Sequence, residues 1–515
     1  MDWNESRYVD DRCTLFQRES GLLLDIPSLP GNYGIGEIGP HALKFLRLLK
    51  DTGQKLWHVL SLRTLNPQRL FTSTSYGWNV ALISFEWLGD DGLLTPDERT
   101  QFAEELESVK NDHTAIIRLR LLLLKQVAQN FLRRASPTLL AAFLKFQKYN
   151  YLWLNKFSLF QALGEEFEKP WHQWPERLRA CDHLSVEMAT KQLQEKIREK
   201  NILQFLFARY WERIRSEANY LGVRIIFSIP VFVAHDSYEV WANQSLFFVN
   251  GEGAMTATSG IYPNSILPDG KLFCGPQYRW QRVKAEQYKF WVNRFRRELQ
   301  NVNIVCLEHF HALFECYEFP ADTPEIALEN GRLVPTDDRN LLDRIREILK
   351  TQNIIASDSF ESNLKMERTI RQLDMASVAV LPFCFSRKKA AVQVFPRNFT
   401  QHHIAYSSNY FSDSLLRWLK NFSERLSPDS RSELQRCFGT DLNRVNRNGL
   451  QHLRDSGAGA VMTTLPDVLE LEQGRDEFLS WRFEWDQITD VVKTRLLQFS
   501  RGLRPLDSHK EALPP

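Results

Sequence analysis

Short apolar runs rich in β-branched residues recur along the chain, and segments with helical spacing of their apolar residues separate most of them. Such runs indicate buried strands, and strands that alternate with helices indicate a parallel sheet. The eight predicted strands cover residues 21–26, 55–60, 223–233, 303–307, 353–356, 378–383, 403–406 and 458–463. Eight strands in this alternation predict an α/β fold, the (β/α)8 or TIM barrel, as a single domain over 1–515.

The widest gap between predicted strands has a different character. From about residue 90 to residue 220 the chain is charged, almost free of glycine, and apolar at positions i, i+3 and i+4. This spacing predicts helices, most clearly over 118–134 and 193–218. We therefore predict a helical insertion subdomain over 90–220 within the barrel.

Composition and charge exclude several classes of protein. A net charge of +2 gives no strong basic field, so we expect no nucleic acid as a partner. No run approaches the roughly 18 uncharged apolar residues of a membrane span, and the charged N-terminus lacks the apolar core of a signal peptide, so we expect no membrane partner. The 7 cysteines form no C-x-x-C pair, which is typical of a reduced cytoplasmic protein without a zinc site.

Three long blocks of sequence resemble one enzyme family. They read SGLLLDIPSLPGNYGIGEIGPHALKFL, IPVFVAHDSYEVWANQSLFF and SGIYPNSILPDGKLFCGPQYRW, and they follow one another in the family's order. The blocks are similar to those of the 4-α-glucanotransferases (amylomaltase and disproportionating enzyme) of glycoside hydrolase family 77. The resemblance implies a TIM barrel of α-glucan metabolism that acts on α-1,4-glucans or maltooligosaccharides without a cofactor. It also implies a substrate-loop insertion over 243–285.

The resemblance places the nucleophile at Glu308. The family's R-[IL]-D-H-F-R-G aligns with CLEHFHA, so Glu308 replaces an aspartate, and Cys306 replaces the arginine that would orient the carboxylate and lower its pKa. A retaining transferase needs one carboxylate to attack the anomeric carbon and one carboxylic acid to protonate the leaving oxygen. Glu308 is one methylene longer than aspartate, and a displacement of about 1 Å costs roughly 100-fold in rate.

The other two carboxylates of the family are replaced in this chain. The acid/base block I-x-A-E-D-L-G aligns with IIASDSF, which places Ser357 at the acid/base position, where a hydroxyl cannot act as a general acid near neutral pH. Asp358 is adjacent, but successive residues of a strand point to opposite sides. The third carboxylate, which binds the sugar, aligns with Phe411, next to Tyr410 at a histidine position.

The expected cleft is only partly preserved. The residues that the resemblance assigns to substrate binding are Asn79, Asp236, Trp241, Phe273, His309 and Tyr410. At other cleft positions the family's polar or aromatic residue is replaced, namely by Asp25, Ser228, Ser265 and Ile266. Framework glycines and apolar positions match the family while cleft positions differ. This pattern indicates a retained fold and an altered chemistry.

Two functions remain open from the sequence. One is a catalytically impaired or inactive glucan-binding or regulatory pseudoenzyme, with a protein partner as a further possibility. The other is a working enzyme, either an active 4-α-glucanotransferase with Glu308 as nucleophile or a sugar-active enzyme with a rebuilt site. Glu308, His309 and His311 are also possible metal ligands at a barrel mouth. However, His309 matches a histidine that binds no metal in the family, so we predict no metal site.

Overall fold

The structure is a computed structural model of the chain. It describes residues 15–60, 62–66, 69–261, 270–323, 330–337, 339–351, 353–358, 364–386, 396–410, 412–422, 432, 434–436, 438–439, 441, 444–474, 477, 481–501 and 503.

The strands of the described part, in chain order, are β1 (Glu19–Leu23), β2 (Leu56–Val59), β3 (Arg63–Asn66), β4 (Arg69–Trp78), β5 (Arg224–Pro230), β6 (Ala257–Ile261), β7 (Lys271–Pro276), β8 (Ile304–Glu308), β9 (Glu315–Pro320), β10 (Arg332–Pro335), β11 (Ile354–Ser357), β12 (Ala376–Val380), β13 (His403–Tyr406) and β14 (Ala460–Thr464).

The α-helices of the same part are α1 (Pro40–Asp51), α2 (Phe85–Asp90), α3 (Pro96–Glu107), α4 (His113–Arg134), α5 (Pro137–Phe167), α6 (Glu176–Arg179), α7 (His183–Gln192), α8 (Gln194–Leu221), α9 (Tyr238–Ala242), α10 (Trp280–Ala285), α11 (Lys289–Leu299), α12 (Asn340–Leu349), α13 (Leu364–Gln372), α14 (Leu381–Ser386), α15 (Leu415–Phe422), α16 (Val445–Asp455), α17 (Leu465–Val468) and α18 (Asp490–Arg501).

Parallel strands close into a barrel in the order β1–β14–β13–β12–β11–β8–β5–β2. Each of the eight predicted runs contains or overlaps one of these strands, so the predicted TIM barrel is confirmed. The run 378–383 differs at its end, because β12 stops at Val380 and α14 begins at Leu381. Pro382 has no backbone N–H for a sheet ladder, but it fits the first turn of a helix.

Most barrel strands are buried on both faces, whereas β12 has three half-buried residues. All four residues of β2 and all five of β8 are buried, because helices cover the outside and side chains fill the inside. A separate antiparallel sheet has the strand order β10–β9–β6–β7, and β3 pairs with β4. Within the described part of the chain, no helix is long and apolar enough to cross a membrane.

Helices α2–α8 fill the chain between β4 and β5. Capping explains several of their starts: Thr95 forms a capping box with Glu98, and Ser136 caps α5 ahead of Pro137. The buried Arg120 of α4 ties these helices to the barrel, since its guanidinium lies 2.8 Å from the Glu37 carboxylate and donates to three backbone carbonyls. This stretch is helical, as its apolar spacing predicts.

The carboxyl ends of three neighbouring strands bring the candidate residues together. Glu308, the last residue of β8, is in register with Pro230 of β5 and with Ser357 of β11. The next residue, His309, has a φ of 59° in the left-handed region, and a short 3-10 helix follows. In a parallel barrel this end carries the functional groups.

Candidate active site

The carboxylate of Glu308 is enclosed by neutral donors. Its Oε1 accepts hydrogen bonds from Ser228 Oγ at 2.7 Å and from the Tyr410 hydroxyl at 2.5 Å. Its Oε2 accepts one from Ser357 Oγ at 2.7 Å, and Cys306 Sγ lies 3.7 Å from Oε1. Glu308 is only 7% exposed. We call these five residues the Glu308 cage: three hydroxyls and one thiol surround the carboxylate, with no cation among them.

A second layer of polar groups extends the cage across the barrel. His58 of β2 lies 2.9 Å from Ser228 Oγ through Nε2 and 2.7 Å from the Tyr406 hydroxyl through Nδ1. Ser228 has a single hydroxyl proton, which it gives to Glu308, so it accepts the proton of His58 Nε2. Nδ1 then accepts from Tyr406, which fixes the neutral tautomer of His58.

Burial disfavours the charged forms of the side chains in and next to the Glu308 cage. Burial raises the pKa of Glu308, and the hydrogen bonds from Ser357, Tyr410 and Ser228 oppose that rise. Burial also raises the pKa of the Cys306 thiol and of the Tyr410 hydroxyl well above their ordinary values, and the negative charge of Glu308 adds to both shifts. Burial lowers the pKa of His58 to about 3, which keeps its ring neutral.

Asp358 is committed to a different partner. Its Oδ2 accepts hydrogen bonds from the backbone N–H of His311 at 2.7 Å and lies 2.6 Å from His311 Nδ1. Both side chains are almost fully buried. The carboxylate therefore links the segment after β11 to the segment after β8, and its contacts point away from a role as substitute acid for Ser357.

An aromatic stack lies beside the cage. The His309 ring packs against Phe273 with centroids 4.7 Å apart, and Phe273 stacks on Phe232 at 4.6 Å. Burial lowers the pKa of His309 to about 3. Two of the six predicted substrate-binding residues, His309 and Phe273, are thus in contact, and both are almost fully buried.

Tyr410, a third predicted binding residue, is a donor in the Glu308 cage, and the remaining three lie elsewhere. Asp236 is exposed and accepts a hydrogen bond from the backbone N–H of Trp171. Trp241 is fully buried and donates its indole N–H to the carbonyl of Leu178. The backbone of Asn79 caps a short 3-10 helix next to the insertion. Their part in substrate binding stays a prediction.

Three positions that the sequence assigns to the site lie outside the described residues. They are Phe411, at the third carboxylate position, and the substrate-loop positions Ser265 and Ile266.

Sequence reasoning missed two members of the polar network. The sequence predicts His58 and Tyr406 only as residues of buried strands and assigns them no role in the site. A histidine inside the apolar run KLWHVL was the available signal, because a polar ring in a buried strand requires partners. Ser228 was noted as a replaced aspartate, but its hydrogen bond to Glu308 was not foreseen.

The chain is similar in sequence to proteins of one enzyme family. The family model described as 4-alpha-glucanotransferase matches residues 24–477. The 4-alpha-glucanotransferase of Thermus thermophilus is 30% identical over 410 residues, covering 78% of this chain and 80% of the relative. That of Streptococcus pneumoniae (serotype 4, strain TIGR4) is 27% identical over 96% of this chain and 98% of the relative.

The fold is also that of a solved amylomaltase. The amylomaltase from Streptococcus agalactiae in complex with acarbose superimposes with a TM-score of 0.84 at 23% identity, covering 94% of this chain and 98% of that chain. The family model spans most of the barrel and includes β8, β11 and β13, which carry the cage and its neighbours. The chain belongs to the 4-alpha-glucanotransferase family, glycoside hydrolase family 77.

Proposed function

We propose that this protein binds α-1,4-glucans or maltooligosaccharides and has lost most or all of the transferase reaction of its family. Family membership supports the glucan as ligand. One observation carries the proposed loss of chemistry: the Glu308 carboxylate is held by Ser228, Tyr410 and Ser357, the last of which the resemblance aligns with the acid/base position.

The cage works against nucleophilic attack. A nucleophilic carboxylate must be ionised and must present an oxygen lone pair to the anomeric carbon. Both oxygens of Glu308 already accept hydrogen bonds, and burial favours its protonated form. An arginine next to the carboxylate would counter that effect, but position 306 holds a buried thiol.

The cage also lacks an acid for the leaving group. In a retaining enzyme the two carboxyl groups stand about 5–5.5 Å apart, with the sugar between them. Here the side chain at the acid/base position is a serine whose Oγ lies 2.7 Å from Glu308 Oε2. This contact closes the space between the two positions, and the neighbouring Asp358 is bonded to His311.

A test of the reaction is incubation with maltotriose followed by chromatography of the products. We expect maltotriose to remain unchanged. Formation of glucose together with longer maltooligosaccharides would sink the proposal if Glu308→Gln abolished it. The matched control is Glu347→Gln, which removes an exposed carboxylate on α12. Activity that this control also lost would point to a contaminating or unrelated cause.

A test of binding is calorimetric titration with maltoheptaose. We expect a measurable heat at millimolar sugar or below. Asn79→Ala, at a partly exposed position next to the insertion, should weaken it, whereas Gln126→Ala on the exposed side of α4 should not. Absence of heat would refute glucan binding and favour a protein partner as the ligand of a regulatory role.

The alternative is an active 4-α-glucanotransferase that uses Glu308 as nucleophile. Its supporting observation is the position of Glu308 at the carboxyl end of β8, in register with β5 and β11. Redistribution of maltotriose that depends on Glu308 would establish it. We further propose that residues 90–220 form a helical insertion subdomain of the barrel domain and that 243–285 are its substrate-loop insertion. We also propose that the protein works in the reducing cytoplasm, which the buried free thiols of Cys306, Cys316 and Cys384 support.

A further inference from the structure

The hairpin formed by α4 and α5 has an unusual charge pattern. Between residues 113 and 163 the chain contains no aspartate or glutamate, although the whole chain has 63 of them among 515 residues. The same stretch has arginine or lysine at positions 118, 120, 125, 133, 134, 145, 148 and 156. Phe131 of α4 packs on Phe143 of α5 with ring centroids 5.4 Å apart, close to the point where the two helices meet.

Large apolar side chains are exposed on this hairpin. They are Leu121, Leu122, Leu132, Leu144, Tyr149, Tyr151 and Leu152. Leu152 is 93% exposed and Tyr149 is 78% exposed, so these side chains project into solvent and fill no groove. At 100° per residue, Leu144, Lys148, Tyr151 and Leu152 lie within roughly 100° of one another on α5. We call this set, with Lys145 and Tyr149 at its edge, the α5 stripe.

Three cations of the hairpin contact a carboxylate or an aromatic ring of this chain. Arg120 pairs with Glu37, Arg134 pairs with Glu98, and the Lys156 ammonium lies over the Trp241 ring.

The remaining cations face outwards: Arg118, Lys125, Arg133, Lys145 and Lys148. None of these five forms an ion pair with a residue that the structure describes. Leucine and tyrosine side chains that project beside unpaired cations require an occupant that is both anionic and apolar.

We infer that the α4–α5 hairpin docks on an anionic lipid surface, with the α5 stripe inserted among the headgroups. One observation favours a membrane over an acidic protein. Residues 113–163 contain no aspartate or glutamate, and they cover the whole of α4, about 33 Å long, and about the first 40 Å of α5 at 1.5 Å per residue. Glu165 and Glu166 lie beyond this stretch at the C-terminal end of α5, where they pair with Lys200 and Lys196. A lipid surface is anionic over an area of that extent.

This inference concerns the periphery of a membrane and replaces the expectation that no membrane takes part, which rested on the lack of a spanning segment. It does not depend on the proposed function of the barrel site, because the hairpin residues are distinct from the Glu308 cage.

The test is co-sedimentation of the full chain with extruded vesicles of phosphatidylcholine and phosphatidylserine. We expect the protein to pellet with these vesicles at low salt, to be released by high salt, and to stay in solution with pure phosphatidylcholine. K145Q/K148Q should weaken the partition by about fivefold for each charge removed. Y149S/L152S should weaken it by about tenfold or more, through loss of apolar insertion.

Matched controls separate this surface from general properties of the chain. Y220S removes a tyrosine that is 85% exposed on α8, and K284Q/K289Q removes two exposed lysines outside the hairpin. Both controls should pellet like the wild type. Thermal unfolding of every variant should match the wild type, since the substituted side chains are exposed.

Several outcomes would overturn the inference. They are no pelleting of the wild type with anionic vesicles at low salt, equal pelleting with neutral vesicles, or unchanged pelleting of both hairpin variants. Binding to soluble polyglutamate without binding to vesicles would likewise overturn it, and would assign the surface to an acidic protein.

Discussion

Two buried glutamates ten positions apart in the sequence have opposite surroundings. Glu298 on α11 is 1% exposed, and both of its oxygens accept hydrogen bonds from one guanidinium nitrogen of Arg63, at 3.0 and 2.8 Å. Glu308 on β8 is 7% exposed and has hydroxyl and thiol neighbours. The positive charge of Arg63 compensates the Glu298 carboxylate, whereas only neutral hydroxyl and thiol groups surround the Glu308 carboxylate.

The two carboxylates therefore differ in how the surrounding protein compensates their charge. The Arg63–Glu298 pair fastens the start of β3 to α11, and a buried ion pair of this kind is stable only while both partners are present. Glu308 lacks such a partner because Cys306 stands where its family has an arginine. Hydroxyl donors hold Glu308 in place, and burial raises the pKa of its carboxyl group.

The largest expected effect comes from breaking the ion pair. Glu298→Gln leaves the Arg63 guanidinium buried without its counter-charge, and we expect the free energy of unfolding to fall by about 3–5 kcal/mol. Urea denaturation followed by tryptophan fluorescence measures the loss. The double variant R63M/E298M should recover much of it, because two apolar side chains need no compensation. A loss below about 1 kcal/mol for Glu298→Gln would contradict a structural role for the pair.

Lowering the pH should reduce the free energy of unfolding through protonation of His58. Its pKa is about 3 in the folded protein and about 6.5 in an unfolded chain, so the unfolded state binds more protons between these values. Stability is therefore lost as the pH falls from about 6.5 towards 3, by on the order of 4 kcal/mol for this group.

His58→Gln should flatten the dependence of the unfolding free energy on pH in this range. His183→Gln, at an exposed position on α7, is the control and should leave the slope unchanged. If His58→Gln and the wild type lost stability in parallel, His58 would not be held neutral by its surroundings.

Replacing Glu308 by glutamine should change the free energy of unfolding by a smaller amount, and the change should depend on pH. The folded pKa of Glu308 is raised by burial, so its contribution to stability is full below the unfolded pKa of about 4.3 and is lost as the pH rises through the folded pKa. Glu308→Gln does not titrate. Its stability should therefore improve relative to the wild type as the pH rises above about 4.3, measured by urea denaturation at several pH values. A relative decline would show that the cage favours the anion.

The smallest expected effect is removal of one donor. Tyr410→Phe deletes the hydroxyl at 2.5 Å from Glu308, and we expect a loss of about 1–2 kcal/mol in the free energy of unfolding. Tyr149→Phe, on the exposed side of α5, is the matched control and should change it by less than about 0.5 kcal/mol. Equal effects from both variants would mean that the Tyr410 hydroxyl adds nothing to the cage.

The pattern of apolar runs was sufficient to predict the barrel. Each predicted strand overlaps a barrel strand, because a strand buried on both faces leaves a continuous local signal in the sequence. The alignment of CLEHFHA and IIASDSF with the family's blocks likewise put Glu308 and Ser357 at the ends of their strands.

Contacts between distant parts of the chain could not be predicted from local sequence patterns. Arg63 and Glu298 are 235 positions apart, and Glu308 and Tyr410 are 102 apart. Their pairing depends on how the barrel closes and on which rotamers its packing allows. By itself the sequence determined the barrel and the family, since both rest on local patterns. Only the tertiary structure decided that the side chains of Ser228, Cys306, Ser357 and Tyr410 enclose Glu308, because hydrogen bonds between side chains are set by three-dimensional proximity.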